Sequence, residues 1–186
     1  MGVDKAFLDF AGRTLLERAL QLARSITDQV SIVGSRDKFG QYGPVVEDIF
    51  RNCGPLAGIH AGLRGSPTDL NLFLAVDMPL VSPQPLRYLI ALAESSPEAK
   101  AVVPRWEGRL HPLCAIYRRE LCIAAEAALL AGRNKIAELF EGQRIRVIEQ
   151  EELQRQGFSS AMFCNLNTLE ELEEARQARE NCRVGC

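Results

Sequence analysis

The sequence lacks an excess of charge of either sign, and it lacks a long hydrophobic run. Its 22 basic and 24 acidic residues give a formal net charge of −2. A chain with this balance has little with which to neutralise a nucleic-acid backbone. The longest apolar runs, at residues 70–76 and 123–131, are well short of the about 20 residues that span a bilayer, and no signal-peptide pattern is present. We therefore expect a cytoplasmic protein that binds neither nucleic acid nor membrane.

The sequence also lacks any Cys-x-x-Cys pair among its six cysteines. This absence argues against a structural zinc site and against a thioredoxin-like redox pair. Cys182 and Cys186 lie four residues apart near the end of the chain. We expect inert thiols there rather than a metal site.

The length and composition are those of a folded domain. A chain of 186 residues that is 47% hydrophobic and 25% charged is long enough for one well-buried core and too short for two ordinary domains. We expect a single domain over residues 1–186, and a monomer.

Short apolar runs alternate with amphipathic stretches, a pattern typical of an α/β domain with helices packed on a largely parallel sheet. Thr14 and Glu17 form a capping box that predicts a helix start. The run at 70–76 is the most continuous strand candidate and predicts a central parallel strand. Strands are expected at 29–33, 45–47, 70–76, 101–104, 113–117 and 144–148, and helices at 14–27, 54–63, 82–95, 120–130, 135–140 and from Thr168 onwards.

Two aspartates follow predicted strands. Asp48 ends the Val46-Glu47-Asp48 run, and Asp77 is followed by Met78-Pro79. Ligands of open α/β sheets collect at the carboxyl ends of the strands, and Mg²⁺ prefers one or two carboxylates together with phosphate oxygens and water. The alternatives are a turn residue at Asp77, which binds its own backbone, and a solvated loop carboxylate at Asp48.

Several motifs occur in one order along nearly the whole chain, and together they resemble the molybdenum cofactor guanylyltransferases. The motifs that begin at Met1, Gly54 and Val76 are typical of the nucleotidyltransferase superfamily, and those that begin at His111 and Asn165 favour the molybdopterin branch. The motifs are Met1-Gly2-Val3-Asp4-Lys5, Val46-Glu47-Asp48, Gly54-Pro55-Leu56-Ala57-Gly58, Val76-Asp77-Met78-Pro79, His111-Pro112 and Asn165-Leu166-Asn167-Thr168.

The resemblance implies an α/β Rossmann-like nucleotide-diphospho-sugar transferase fold with a mostly parallel central sheet flanked by helices. It implies an enzyme that transfers GMP from GTP to molybdopterin with Mg²⁺ and releases pyrophosphate. Asp77 is then the metal ligand, Lys5 steadies phosphate as a point charge, and Asp48 contacts the nucleotide. Asn165, Asn167 and His111 are expected on the pterin side. Molybdoenzyme apoproteins or their chaperones are the candidate protein partners.

The sequence departs from the family pattern at two places. The strand and the Leu-Ala-Gly-Gly-x-Ser-x-Arg segment that precede the Gly-x-Asp-Lys motif in the family are not in front of Gly2. Met1 is either an internal methionine of that loop or the start of a degenerate paralogue, and the retained Asp48 and Asp77 favour the first. Loss of that central strand is expected to leave unpaired strand edges. Ser35 stands where the family often has an asparagine near the guanine, which leaves cytosine as the second choice of base.

Two other functions, and a structural role for the histidines, stay open. A cytidylyl- or sugar-phosphate nucleotidyltransferase of the same superfamily would share Asp77 but use another acceptor. A non-catalytic molybdopterin-binding module would bind pterin without turning over GTP. His60 is expected to be structural, and a structural role for His111 is as plausible as pterin contact.

Overall fold

The computed structural model describes residues 4–164. Seven helices, α1 to α7, run over Leu15–Arg24, Arg36–Phe39, Gly54–Gly65, Pro83–Ser95, Leu121–Leu130, Ile136–Leu139 and Gln150–Arg155. Seven strands, β1 to β7, run over Ile32–Val33, Val45–Val46, Leu70–Leu74, Ala101–Trp106, Arg109–Leu110, Cys114–Arg118 and Ile145–Ile148. Two 3₁₀ turns lie at Lys5–Phe7 and Ser160–Phe163. The helix expected from Thr168 falls outside the described residues.

The capping box at the start of α1 is confirmed. The Thr14 hydroxyl accepts a hydrogen bond from the Glu17 amide at 3.2 Å, and the Glu17 carboxylate accepts one from the Thr14 amide at 2.9 Å. These bonds satisfy two of the amide groups that a helix start leaves unpaired. Leu15, Leu16 and Leu20 then bury one face of the helix.

The sheet confirms the α/β class but is not entirely parallel. Its main strands lie in the order β3-β6-β4, with β5 and β7 also paired to β4. β7 runs parallel to β4, whereas β6 runs antiparallel to both β3 and β4. It follows that β3, β4 and β7 share one direction.

The expectation that residues 70–76 form a central parallel strand is wrong. β3 ends at Leu74, and among the described strands its partner is the antiparallel β6. The reason lies in the hairpin that follows β4. Glu107 and Gly108 adopt positive φ angles of 48° and 73°, the two-residue turn that sends a strand straight back. β5 leaves this turn, and β6 then enters between β3 and β4.

β1 and β2 form a separate parallel pair among the described strands. Helix α3 packs against both sheets, and Gly62 is the point of closest approach. A Cβ atom at Gly62 would lie 2.7 Å from the Phe73 ring and 3.4 Å from a Val33 methyl group. Since 2.7 Å is far inside van der Waals contact, only glycine allows α3 to lie this close to β3.

The core lies in two layers, one on each face of the five-stranded sheet. On β6, Ala115 and Tyr117 contact the layer beneath α3 and α5, whereas Cys114 and Ile116 contact the layer beneath α4 and α7. This alternation follows from the two-residue repeat of a strand. Within residues 4–164, no helix is long and apolar enough to cross a membrane.

Candidate functional site

Asp77 lies in the loop that continues β3, and the core anchors this loop on both sides of it. Val76 packs against one apolar cluster, around Leu16, Ile32 and Val45. Met78 is 6% exposed and belongs to another, beneath α4. The Asp77 side chain is only half-buried between these two anchors. The loop therefore has a defined position while its carboxylate reaches solvent.

The antiparallel pairing of β3 with β6 brings His111 to the same end of the sheet as Asp77. Leu74 is the register partner of Cys114, and the Ala75 amide donates to the Leu113 carbonyl at 2.8 Å, one step beyond the strands. Asp77 lies two residues after Ala75, and His111 lies two residues before Leu113. The pairing therefore places two residues that are 34 positions apart in sequence at the same end of the sheet.

His111 is held in place by both its backbone and its ring. Its amide donates to the Pro104 carbonyl at 2.9 Å, and its ring stacks on Phe163 with 4.0 Å between the ring centroids. Burial lowers the pKa of His111, Arg109 lowers it further, and Glu107 opposes both effects. A neutral imidazole with one donor and one acceptor nitrogen is therefore the dominant form at neutral pH.

Lys5 is exposed at the start of the first 3₁₀ turn. The Asp4 side chain caps this turn by accepting from the Ala6 amide at 3.0 Å, and Asp4 also forms an ion pair with Lys38 of α2. Ala6 is buried in the same apolar cluster against which Val76 packs. Ala6 and Val76, the sequence neighbours of Lys5 and Asp77, thus pack in the same apolar cluster. Lys5 and Asp77 are 72 positions apart in sequence.

Ser35 lies directly before α2, in the N-cap position, but its side chain makes no capping hydrogen bond. Glu47 takes over part of that role, because its carboxylate accepts from the Arg36 amide at 2.9 Å. The Ser35 hydroxyl is exposed and is therefore accessible to a ligand.

Asp48 follows β2 and is half-buried. Its Oδ1 atom is buried without a hydrogen-bond partner among the described residues. Burial raises the pKa of Asp48, and the nearby His60 lowers it in part. A buried carboxylate oxygen without a donor is costly to the folded state.

His60 lies near Asp48, and its complete burial is a feature that the sequence did not reveal. It lies on α3 with 0% exposure, and neither ring nitrogen has a hydrogen-bond partner among residues 4–164. In sequence it is one histidine within an apolar helix. The one signal was its place two residues after the Gly54-Pro55-Leu56-Ala57-Gly58 motif.

Lys5 and Asp77 each lie next to a residue of one apolar cluster, and the pairing of β3 with β6 brings His111 to the same end of the sheet as Asp77. Ser35 and Asp48 follow β1 and β2. Asn165 and Asn167 lie outside the described residues. Phe163, which stacks on His111, is two residues before Asn165. Within the described chain, no group of three or more histidine, cysteine, aspartate or glutamate side chains could hold a metal.

Comparison with known proteins finds relatives over most of the chain. Residues 1–147 match the family model of the MobA-like NTP transferase domain. The probable molybdenum cofactor guanylyltransferase of Pelotomaculum thermopropionicum is 32% identical, over all of this chain and 90% of the relative. The molybdenum cofactor guanylyltransferase of Syntrophotalea carbinolica is 32% identical, over 95% of this chain and 85% of the relative.

A solved structure supports the fold. The molybdopterin-guanine dinucleotide biosynthesis protein A of Archaeoglobus fulgidus superposes with a TM-score of 0.83 at 25% identity. The superposition covers 97% of this chain and 92% of that one. The Rossmann-like nucleotidyltransferase fold expected from the sequence motifs is confirmed.

Proposed function

Because the chain belongs to the MobA-like NTP transferase family, we propose that it is a molybdenum cofactor guanylyltransferase, which transfers GMP from GTP to molybdopterin. The observation that carries this proposal is the Asp77 loop. It holds a half-buried carboxylate three residues beyond β3, at the end of the sheet that also carries His111 and next to the cluster that contains Ala6. This arrangement offers a carboxylate, a cation and a neutral imidazole in one region.

In the proposed reaction, a terminal phosphate oxygen of molybdopterin attacks the α-phosphorus of GTP. A new oxygen–phosphorus bond forms, the bond from that phosphorus to the oxygen bridging to the β-phosphate breaks, and pyrophosphate leaves. The attacking group is already an anion at neutral pH, so the protein needs no serine or cysteine nucleophile. Its contribution is to position the two substrates and to balance their negative charge.

The donor set fits Mg²⁺. Asp77 supplies a hard, solvent-reaching oxygen ligand, and Mg²⁺ is commonly held by one or two carboxylates together with phosphate oxygens and water. When bound, the ion neutralises charge on the phosphates around the reacting phosphorus. The chain's own task is to hold Asp77 still, and its anchors Val76 and Met78 explain how it does so.

The remaining residues are assigned to the two substrates. Lys5 acts as a point charge for phosphate, and the exposed Ser35 hydroxyl and the half-buried Asp48 carboxylate contact the nucleotide. His111, Asn165 and Asn167 are assigned to the pterin. As a neutral ring stacked on Phe163, His111 orients a ligand by hydrogen bonding and is not required as a general base.

The test is product formation from GTP or CTP, each labelled at its α-phosphate, with molybdopterin and Mg²⁺. The 186-residue chain is assayed beside a form extended in frame upstream of Met1. The extended form is included because the glycine-rich segment of the family supplies backbone amides to phosphate. We expect label to enter a pterin dinucleotide, with GTP preferred over CTP. Preference for CTP would support a cytidylyltransferase. Pterin binding without label transfer in both forms would contradict the enzyme and support a binding module.

A further inference from the structure

Lys38 of α2 contacts the turn that carries Lys5. Its ammonium group forms an ion pair with the carboxylate of Asp4, the residue immediately before Lys5. The same ammonium group lies over two aromatic rings, 5.2 Å from the Phe39 centroid and 6.0 Å from the Phe7 centroid. A lysine side chain is flexible by itself, and these three contacts give Lys38 a defined position.

The Asp4 carboxylate uses its two oxygens for two different contacts. Oδ1 accepts a hydrogen bond from the Ala6 amide at 3.0 Å and caps the 3₁₀ turn Lys5–Phe7. Oδ2 pairs with Lys38. The cap holds the backbone of the turn, and the ion pair holds the turn against α2. Because Lys5 is the first residue of this turn, the direction of its side chain depends on both contacts.

The other contacts between the turn and α2 are apolar. The Phe7 ring lies 6.0 Å from the Phe39 ring and 6.0 Å from the Tyr42 ring, measured between centroids. All three rings pack against the apolar cluster that contains Ala6. Apolar burial is non-directional, whereas the ion pair joins two particular groups. We therefore assign the orientation of the turn relative to α2 to the pair of Asp4 with Lys38.

We propose that Lys38 is a positioning residue, which holds the Lys5 turn against α2 by pairing with Asp4. Ser35 lies directly before α2, so the pair also sets Lys5 and Ser35 at the separation that one bound GTP requires. The inference rests on the proposed function, which assigns Lys5 to phosphate and Ser35 to the nucleotide. Lys38 acts on GTP only through Asp4 and the turn.

The exposure of the pair determines the size of the expected effect. The side chains of Lys38 and Asp4 are 43% and 34% exposed, and ion pairs near the surface contribute modestly. We expect Lys38→Met to raise the KM for GTP about threefold with little change in kcat. Lys38→Arg, which keeps the charge, should stay close to wild type. Lys135→Met, the same replacement at an exposed lysine, is the matched control and should leave KM unaltered.

A double-mutant cycle separates positioning from direct contact with phosphate. Asp4→Asn removes the charge that pairs with Lys38 and keeps an oxygen that can accept from the Ala6 amide. We expect Asp4→Asn to raise KM by a similar factor, and Lys38→Met to add nothing in the Asp4→Asn background. A lysine that contacted phosphate itself would raise KM by the same factor in both backgrounds, and that result would overturn the proposal.

Urea unfolding of the same four proteins distinguishes a structural pair from a positioning one. A loss of stability in Lys38→Met without any rise in KM would make the pair structural and would also overturn the proposal. Failure of the proposed function gives a different pattern. In that case no form binds GTP, while the cycle measured by urea unfolding still shows coupling between Asp4 and Lys38. The ion pair would then be retained and its role in GTP binding removed.

Discussion

At the scale of single residues, two polar groups of the site are each followed by a buried apolar residue. Ala6 follows Lys5 and is 4% exposed, and Met78 follows Asp77 and is 6% exposed. The buried neighbour fixes the backbone, and the polar side chain is left at the surface. Such a site is held by the core beneath it.

Replacement of Lys5 by alanine tests its assignment to phosphate. A hydrogen bond to a charged group contributes about 2 kcal/mol, so we expect kcat/KM for GTP to fall about thirtyfold. Lys5→Arg should retain part of the activity because it keeps the charge. Lys135→Ala, an exposed lysine before α6, serves as the control. Equal activity of Lys5→Ala and Lys135→Ala would exclude a role for Lys5 in phosphate binding.

The residues of the site were partly predictable from sequence. Asp48 and Asp77 follow short apolar runs, and Lys5 belongs to a motif, so local patterns identify them. The packing of the His60 ring against Phe50 could not be found in this way. It depends on how α3 packs against the loop after β2, and packing between residues 10 positions apart leaves no periodic signal.

At the scale of elements, α1 shows how a local signal determines structure. Its capping box satisfies two amides at the helix start, and the helix buries three leucines. We expect Thr14→Ala to lower the free energy of unfolding by about 1 kcal/mol, because the hydroxyl that accepts from the Glu17 amide is lost. Urea unfolding measures this change. Thr14→Ser, which keeps the hydroxyl, should be close to wild type, and an equal loss in both variants would mean that the methyl group matters instead.

The helices were more predictable than the sheet. A helix is specified by caps and by a repeat of 3.6 residues within one segment, so the expected helices at 54–63, 82–95 and 120–130 closely match α3, α4 and α5. The order and direction of strands depend on contacts between distant segments. The entry of β6 between β3 and β4 and the short β5 after Glu107-Gly108 left no comparable local pattern. The brief helix α7 was also missed.

At the scale of the whole molecule, the two histidines predict how stability depends on pH. Burial lowers the pKa of both His60 and His111 below the ordinary value of 6.5. Between the folded and unfolded pKa values the unfolded chain binds more protons, so stability falls as the pH drops through 6.5 towards the folded values. Asp48 acts in the opposite sense. Its raised pKa makes its contribution to stability fall as the pH rises above 3.8.

Urea unfolding at about pH 7.5 and about pH 5.5 covers the window in which histidine charges. Glu17 and Glu152 have lowered pKa values and titrate below 4.5, outside this window. We expect wild type to be less stable at the lower pH and His60→Gln to show a smaller difference, since one titrating group is gone. Equal differences in the two proteins would show that His60 does not titrate differently on folding.

The central claim is that the Asp77 loop is the metal and nucleotide site of a guanylyltransferase. Pyrophosphate release from GTP, measured with and without molybdopterin in wild type and in Asp77→Asn, tests it most directly. We predict release that requires molybdopterin and Mg²⁺ and that Asp77→Asn abolishes, while both proteins unfold at the same urea concentration because Asp77 is half-buried and lies outside the core clusters. Undiminished release by a folded Asp77→Asn protein would contradict the account.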